Sequence, residues 1–366
     1  MKNQVKPIAL YLPQFHAIPE NDAWWGNGFT EWTNVKKTSP RFESHHQPHV
    51  PLDGDYYSLD DLDVMRRQAE LAKAYGIYAF CFYHYWFNGK LLLEKPLHRW
   101  LGAKDIDFPF CLSWANENWT RRWDGKEKCL LIGQEYNLED DRAHIRYLMQ
   151  FFKDERYIKI DNKPMLLMYR SESHPLIKEA TALWREEVIK AGFDGLYLIR
   201  MENFEQGIDP ASHGFDAGME FAPERASSGV KLLKDNKSSY LFHKALHALG
   251  IKPDKRYENG LYDYDRLVRG MTGKERPSYP YFRCACPAWD NSARRKKNAV
   301  IYVNSSPEKF EKWLEFTKEW SEENLPGELQ YTFINAWNEW AEGCHLEPDT
   351  KWQYGYLQAV KNVFGS

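Results

Sequence analysis

Two glutamates near the end of the chain, Glu339 and Glu342, have the side-chain type and spacing that acid–base chemistry requires. Cleavage of a glycosidic bond uses two carboxyl groups that flank the bond, one protonated and one ionised. Three residues apart, they would face opposite sides of a continuous strand, but they converge if the strand has ended in a turn. Gly343 is consistent with such a turn. Two carboxylates that close also push their pKa values apart, which leaves one of them protonated near neutral pH.

Other polar and aromatic residues follow apolar runs of the sequence, where predicted strands end. Carboxylates, amides and rings together suit an uncharged polyhydroxylated ligand, whose C–H faces stack on rings and whose hydroxyl groups need polar partners. We therefore predict that a glycan contacts Tyr11, His16, His84, Trp86, Trp114, Asn116, Glu117, Trp119, Arg170, Glu220, Trp289, Asp290, Trp337, Asn338 and Trp340. Of these, Glu117 and Glu220 could either complete a catalytic pair or bind a hydroxyl group.

Two other motifs are weaker candidates for chemistry. The segment His45-His46-Gln47-Pro48-His49 matches no zinc-binding helix and has no carboxylate pair nearby, which favours a structural loop over a metal site. Asp61-Leu62-Asp63 resembles the DxD of metal-dependent glycosyltransferases, but it lies in the first turn of a predicted helix, where acids favour the helix dipole. The chain also contains no glycine-rich phosphate loop. We therefore predict neither a metal nor a cofactor.

The sequence also contains two short basic segments. The run from Arg294 to Lys297 is too short to indicate nucleic-acid binding and is predicted to be a solvated loop. Arg121 and Arg122 could bind a charged sugar or pair with Asp124, as surface ion pairs commonly do. Trp123, between them, belongs to the Trp residues expected on the rim of the site.

Eight short apolar runs alternate with helical stretches along the chain, and each run is too short to be a helix. They cover residues 8–12, 77–83, 108–114, 165–169, 196–201, 217–221, 281–286 and 331–336. Their near-continuous apolar character is typical of parallel strands that are buried on both faces. The alternation predicts an α/β fold, a (β/α)8 TIM barrel, with functional residues at the C-terminal ends of the strands.

Length and composition narrow the possible classes of protein. The chain has 366 residues, and we expect one catalytic domain over 1–366, with insertions at the catalytic face over about 13–58 and 223–280. The formal net charge of -3 argues against nucleic-acid binding, and no apolar run approaches the roughly 18 residues of a membrane span. The aromatic content of 16% excludes a disordered chain and hints at a ring-stacking site.

The expected compartment is the cytoplasm. The N-terminal residues contain no apolar segment and no small-residue cleavage site, so no signal peptide is predicted. The 6 cysteines include no CxxC pair, and in a chain of this length they indicate reduced thiols rather than a disulfide framework. The sequence carries no indication of an oligomeric state.

The sequence resembles the WbsX-like proteins, which are also described as glycoside hydrolase family 99-like domains. The resemblance spans about Ile8 to Leu357 and rests on the segments ALYLPQFH (9–16), WTNV (32–35), WANENW (114–119) and WNEWAEG (337–343). The last segment also resembles family 99 proper, the endo-acting α-mannosidases. The resemblance therefore implies a (β/α)8 barrel and an α-mannose-like linkage in the substrate.

The resemblance also implies a mechanism for the two glutamates. Carried over from the family, Glu339 deprotonates a sugar 2-hydroxyl group, which attacks the anomeric carbon and forms an epoxide-like intermediate. Glu342 protonates the departing oxygen and later activates water, with net retention of configuration. Ala341 departs from the pattern, since family 99 proper tends to carry His there.

Three functions follow as alternatives. The first is a retaining glycosidase that acts on an oligosaccharide or polysaccharide. WbsX-like proteins occur in surface-polysaccharide gene clusters, which implies the second, a glycosyltransferase of bacterial O-antigen (lipopolysaccharide) biosynthesis. Such a transferase should bind a sugar nucleotide, although no diphosphate cradle is visible in the sequence. The third is a non-catalytic carbohydrate-binding barrel, because this fold does not by itself imply activity.

Overall fold

The computed structural model describes residues 4–121, 126–251 and 254–365. Arg122, Trp123 and Asp124, which the sequence singled out, lie outside the described residues. Eight parallel strands lie side by side in chain order. They are β1 (Lys6–Tyr11), β2 (Ala79–Phe87), β3 (Phe110–Trp114), β4 (Lys163–Met168), β5 (Tyr197–Glu202), β6 (Ala217–Glu220), β7 (Tyr281–Phe282 and Cys284–Ala285) and β8 (Tyr331–Ile334).

The sheet closes on itself through its last two strands. The first part of β7 pairs with β6 and its second part pairs with β8, while β8 also pairs with β1. Each predicted apolar run overlaps one of these strands, so the predicted (β/α)8 barrel is confirmed. β2 extends to Phe87, further than predicted, because its end forms a hairpin with Lys90–Leu92.

Ten helices are found within the described residues, most of them between successive strands. They are α1 (Pro19–Trp25), α2 (Glu31–Lys37), α3 (Leu62–Ala74), α4 (Lys95–Gly102), α5 (Leu138–Phe152), α6 (Ile177–Lys190), α7 (Lys237–Ala248), α8 (Tyr264–Thr272), α9 (Pro307–Asn324) and α10 (Gly355–Phe364). None of the helices in the described ranges is long and apolar enough to cross a membrane.

The DxD segment begins a helix, as its position in the sequence predicted. Asp61 is the N-cap of α3, and its side chain accepts a hydrogen bond of 2.9 Å from the backbone N–H of Asp63. The helix itself begins at Leu62, directly after this cap. The preference of Asp for the N-cap position accounts for this start.

The two long connections carry structure of their own. Residues 13–58 contain α1 and α2, and residues 223–280 contain α7, α8 and the strand Gly260–Asp263. Asn236 caps α7, which begins at Lys237. The remaining short strands are Trp119–Arg121, Lys126–Ile132, Lys159–Ile160, Val300–Val303, Asn338–Glu339 and Cys344–His345.

Candidate active site

A cavity of about 350 Å³ lies at the C-terminal ends of the barrel strands. Its wall is rich in aromatic side chains, namely Trp25, Tyr83, Tyr85, Trp119, Tyr169, Phe221 and Trp289. Its polar lining comprises Gln14, Glu117, Asn118, Thr120, Asn203, Asn291, Arg294, Arg295, Asn335, Glu339 and Glu342. Aromatic faces beside carboxylates and amides are the lining that a polyhydroxylated ligand requires.

A tight hairpin after β8 brings Glu339 and Glu342 into this cavity. Asn338–Glu339 pairs in antiparallel fashion with Cys344–His345, and a 3₁₀ turn connects the two short strands. Side chains three residues apart in a 3₁₀ turn lie on one side of it, which explains the convergence of the two glutamates. Gly343 ends the turn with φ of 57°, and a Cβ at this position would meet Asp290 at 3.1–3.2 Å. The predicted turn is therefore confirmed.

Arg294 joins the two glutamates to a third carboxylate. Its Nη2 donates to Glu339 Oε2 at 2.7 Å and to Glu31 Oε1 at 2.6 Å, while its Nη1 lies 2.8 Å from Glu342 Oε1. Glu31 is the first residue of α2 and also accepts a hydrogen bond of 3.2 Å from the backbone N–H of Ala341. One guanidinium fork therefore aims both members of the pair at the same part of the cavity.

Glu339 and Glu31 lie out of water, and this shifts their titration. Burial raises the pKa of Glu339 to about 8, because the opposing effect of Arg294 is smaller and the charges of Glu342 and Glu31 add to the shift. Burial likewise raises the pKa of Glu31. Burial disfavours the Arg294 cation, but the three carboxylates outweigh this and raise its pKa. Three carboxylates around one cation are thus expected to retain a proton near neutral pH.

The sequence of this chain is similar to those of known proteins. The sequence profile of the family described as "Glycosyltransferase WbsX" matches residues 7–360. The chain belongs to the WbsX family. The proteins described as "Uncharacterized protein WxcX" from Xanthomonas campestris pv. campestris, strains B100 and ATCC 33913, are 42% identical to it over 356 residues. The match covers 97% of this chain and 49% of each relative, so the chain spans about half the length of these proteins.

The WbsX-family chain also shares its fold with solved structures. A structure described as "Glycoside hydrolase-like protein" superposes with a TM-score of 0.62 at 14% identity, covering 100% of this chain and 95% of the other. The GH99 endo-alpha-mannosidase from Bacteroides thetaiotaomicron superposes with a TM-score of 0.56 at 12% identity, covering 97% and 95%. At this level of identity the similarity concerns the fold, and it agrees with the family resemblance seen in the sequence.

The buried position of Glu339 predicts a pH-dependent gain of stability in the Glu339→Gln variant of this WbsX-family chain. Because the folded pKa is raised, the native state keeps its proton while the unfolded chain ionises, so the stability of the wild type falls as pH rises from about 4.5 to 8. Glutamine removes this loss, so we expect a gain of about 1–3 kcal/mol at pH 8 and little gain at pH 5. Thermal unfolding across this pH range measures it, with the exposed Glu186→Gln as control. A loss of stability at pH 8 would contradict the burial argument.

The two residues that matter most for the glutamate pair, Arg294 in the cavity wall and the buried Glu31, were not predicted as site residues. Glu31 stands directly before the WTNV segment, and Arg294 opens the basic run that was predicted to be a solvated loop. That prediction is wrong for Arg294, whose side chain is 14% exposed and bound to the three carboxylates. The one indication in the sequence was the position of Glu31 directly before the WTNV segment, which carries part of the family resemblance.

Among the predicted catalytic and glycan-contacting residues, five line the cavity of the WbsX-family barrel. They are Glu117, Trp119, Trp289, Glu339 and Glu342. The other side chains lie in the layers around it and correct the expected contacts. For the predicted contacts that lie within strands, the reason is strand geometry, because successive side chains of a strand point to opposite faces of the sheet.

β2 shows this alternation directly. His84 and Trp86 point away from the cavity to α5, where His84 Nε2 lies 2.9 Å from His144 Nε2 and Trp86 donates to the Asp140 carboxylate at 2.9 Å. The intervening Tyr83 and Tyr85 line the cavity instead. The expected aromatic contacts on this strand were therefore displaced by one residue.

Trp114, Asn116 and Arg170 hold the ends of β2, β3 and β4 together. The Trp114 indole donates to the carbonyl of Trp86 at 3.3 Å, and Asn116 forms two hydrogen bonds of 2.8 Å with the backbone of Arg170. The Arg170 guanidinium binds Glu117 at 3.2 Å and Glu172 at 2.9 Å. Glu117 is therefore the member of this group that can face a ligand.

Four further predicted contacts are satisfied inside the protein. Tyr11 donates to Gln68 Oε1 at 2.7 Å, and His16 Nδ1 lies 3.0 Å from the carbonyl of Pro13. Glu220 pairs with Arg283 at 3.0 Å and with Lys274 at 3.3 Å. Asp290 accepts from Gln47 at 2.8 Å and binds His45 at 2.6 Å. Except for the Pro13 carbonyl, these partners come from other segments of the chain, which the local sequence does not reveal.

The hairpin residues Trp337, Asn338 and Trp340 support the turn rather than line the cavity. Asn338 clamps the backbone of Leu12 through hydrogen bonds of 2.7 and 3.0 Å. The Trp337 and Trp340 indoles donate to Glu347 at 3.1 and 2.6 Å. The Trp residues of the WNEWAEG segment therefore anchor the glutamates from behind.

Glu347 carries a second prediction about this anchor. Besides the two indoles, its buried carboxylate accepts hydrogen bonds from Gln68 at 2.6 Å and from the Tyr57 hydroxyl at 2.8 Å. Glutamine at this position would turn an –NH2 group toward donors, so we expect Glu347→Gln to cost about 1–3 kcal/mol. Urea denaturation measures the loss, and an unchanged midpoint would show that the carboxylate is not needed.

Proposed function

We propose that the protein is a retaining glycoside hydrolase that acts on an oligosaccharide or polysaccharide, with Glu339 and Glu342 as its catalytic pair. The observation that carries this proposal is the fork of Arg294, which directs both carboxylates into one aromatic cavity at the end of the last barrel strand. Two carboxyl groups with different environments are what glycosidic cleavage requires. Glu339 is 6% exposed, whereas the Glu342 side chain is 20% exposed.

The cavity supports a sugar as the ligand. Tyr83, Tyr85, Trp119 and Trp289 present rings on which the C–H faces of pyranoses can stack. Gln14, Glu117, Asn203 and Asn291 supply donors and acceptors for hydroxyl groups. The similarity to a GH99 endo-alpha-mannosidase and the resemblance of the WNEWAEG segment favour an α-mannose-like linkage.

The family resemblance assigns the individual roles. Glu339 takes the proton of the 2-hydroxyl group, O2 bonds to the anomeric carbon, and the glycosidic bond breaks as Glu342 protonates the leaving oxygen. Water then attacks the anomeric carbon and gives its proton to Glu342, the bond between O2 and the anomeric carbon breaks, and O2 recovers its proton from Glu339. The raised pKa of Glu339 suits this role, because a more basic carboxylate takes a hydroxyl proton more readily once ionised.

The family description favours glycosyl transfer as a second candidate function. A transferase that uses a sugar nucleotide has to hold a diphosphate. Three carboxylates, those of Glu31, Glu339 and Glu342, share the one guanidinium of Arg294. This excess of negative charge disfavours the binding of a diphosphate next to the cluster. Hydrolysis of a neutral glycan fits the charge distribution better than transfer from a nucleotide donor.

A single set of assays separates the candidates. The protein is incubated with aryl α-mannosides, with other aryl α-glycosides and with oligosaccharides, and the products are followed by proton NMR. We expect hydrolysis, with the α-anomer formed first. Formation of the β-anomer first would contradict retention. Calorimetric binding of a sugar nucleotide together with transfer to an acceptor would favour the transferase, and glycan binding without turnover would favour a carbohydrate-binding barrel.

A further inference from the structure

A second cavity, of about 320 Å³, lies on the other side of Trp289, which lines both cavities. Its wall carries an unusual concentration of imidazoles. They belong to His45, His46, His49 and His345, beside Asp290 and Asp349. Neither the proposed glycosidase chemistry nor the barrel core accounts for this concentration.

Three of these side chains converge on one point. His49 Nδ1 lies 2.9 Å from His345 Nε2, and His345 Nε2 lies 3.9 Å from Asp349 Oδ2. All three ligand atoms lie within 4.8 Å of one another. Ligand atoms bound to a tetrahedral zinc ion at about 2.0–2.2 Å lie about 3.3 Å from one another. The distances of 2.9 and 3.9 Å between these side-chain atoms lie on either side of that value.

The hydrogen bonds around the three atoms leave lone pairs facing one another. His345 Nδ1 lies 2.9 Å from the carbonyl of Glu347, so it carries the proton and Nε2 is an acceptor. A protonated His49 Nδ1 could donate a hydrogen bond to His345 Nε2, which would explain the short distance between these two imidazoles but not the position of Asp349. The carboxylate oxygen of Asp349 would still face the same lone pair inside the protein, an arrangement that a cation relieves.

The surrounding backbone holds the three groups in place. Asp349 Oδ1 accepts hydrogen bonds from the backbone N–H groups of Lys351 and Trp352, which directs Oδ2 toward His345. The two loops that carry the ligands are also joined by Thr350 N–H to Val50 O and by Leu52 N–H to Pro348 O, each 2.9 Å long. Outer hydrogen bonds of this kind orient metal ligands.

An unused nitrogen stands beside the group. No described residue offers a hydrogen-bond partner to the buried Nε2 of His46, and the ring of His46 lies 4.9 Å from that of His49. A buried imidazole nitrogen without a partner is uncommon in a folded protein.

We propose that His49, His345 and Asp349 bind a divalent transition-metal ion, with Zn²⁺ as the preferred ion and the remaining coordination position facing the second cavity. Two imidazoles and one carboxylate form a ligand set that zinc accepts. The ion would join the loop of residues 45–52 to the loop of residues 344–349. The sequence favoured a structural loop for the His45–His49 segment, because the other two ligands lie about three hundred residues away.

Zinc itself is the probe for the test. The protein is purified without a polyhistidine tag, stripped with a chelator and titrated with Zn²⁺ by calorimetry, and the metal content after gel filtration is measured by mass spectrometry. We expect one zinc ion per chain in the wild type. His49→Ala and Asp349→Asn should each weaken binding at least about tenfold. Asn at position 349 keeps the oxygen that accepts from the backbone, so this variant should fold.

The control variant is His98→Ala, which removes an exposed imidazole that pairs with Tyr147 outside the cluster. It should bind zinc like the wild type. Absence of zinc binding by the wild type would overturn the proposal, as would unchanged affinity in both cluster variants. Equal losses in the His98 variant would also overturn it, since the binding would then be unspecific. None of these readouts depends on glycosidase activity.

Discussion

Glu342→Gln lowers kcat/KM for glycosides with poor leaving groups by roughly 10²–10⁴-fold, the usual contribution of a positioned general acid. The amide keeps the shape of the side chain and an oxygen that can accept from Arg294, but it has no proton to give to the departing oxygen. Activated substrates such as aryl glycosides with acidic phenols need less protonation, so their first step should be slowed less. The ratio of the two rates distinguishes a lost proton donor from a damaged site.

The measured quantity is kcat/KM for a matched pair of activated and unactivated substrates, because it reports the steps up to bond cleavage and excludes the later attack of water. Glu186→Gln serves as the control, because Glu186 is an exposed residue of α6 paired with Lys190. Its kinetics should equal those of the wild type. An equal loss on both classes of substrate would remove Glu342 from the acid role, and normal turnover of unactivated glycosides would remove it from the catalytic pair.

Arg294→Met destabilises the protein by about 3–5 kcal/mol near pH 8, the typical cost of leaving buried charges without their partner. Glu31, Glu339 and Glu342 would then face one another with no cation between them. This loss of stability should become smaller as pH is lowered toward the ordinary carboxyl pKa, because the three carboxylates then take up protons and their buried charges disappear. Denaturant unfolding at pH 8 and at pH 5 should therefore give a larger difference at pH 8.

Two further variants test the cause of this loss. Adding Glu31→Gln to Arg294→Met removes one of the unpaired carboxylates and should restore part of the stability. Arg66→Met removes an arginine whose partners Asp63 and Asp105 are exposed, so little change is expected. A stability of Arg294→Met equal to that of the wild type at pH 8 would contradict the role of Arg294 as the shared partner.

The elements of the fold could be predicted because their signals are local. Each of the eight strands is a short apolar run bounded by turn-forming residues, and the spacing of such runs was enough to indicate the barrel. The side of a strand that each residue faces was harder to predict. In β2 every residue is buried, so the sequence shows no alternation of polar and apolar residues that would separate Tyr83 from His84.

The excess of aromatic residues also has a different distribution from the predicted one. Trp119 and Trp289 line the candidate site, as expected, and Trp25 joins them from α1. Trp337 and Trp340 instead donate their indole N–H groups to Glu347. A Trp at a strand end can face either the ligand or the supporting layer. For Trp337 and Trp340 the hydrogen bonds to Glu347, a residue that the local sequence does not identify as their partner, fix the second orientation.

The sequence by itself determined the barrel and the convergence of Glu339 and Glu342, since both follow from spacing over a few residues. The tertiary structure alone decided what surrounds that pair. Arg294 comes from the segment after β7 and Glu31 from the first long loop, and they meet at 2.6 Å across 263 positions of the chain. His49 and His345 meet across 296 positions in the same way. Closure of the barrel brings such segments together, and the spacing of residues within a segment carries no information about distances between segments.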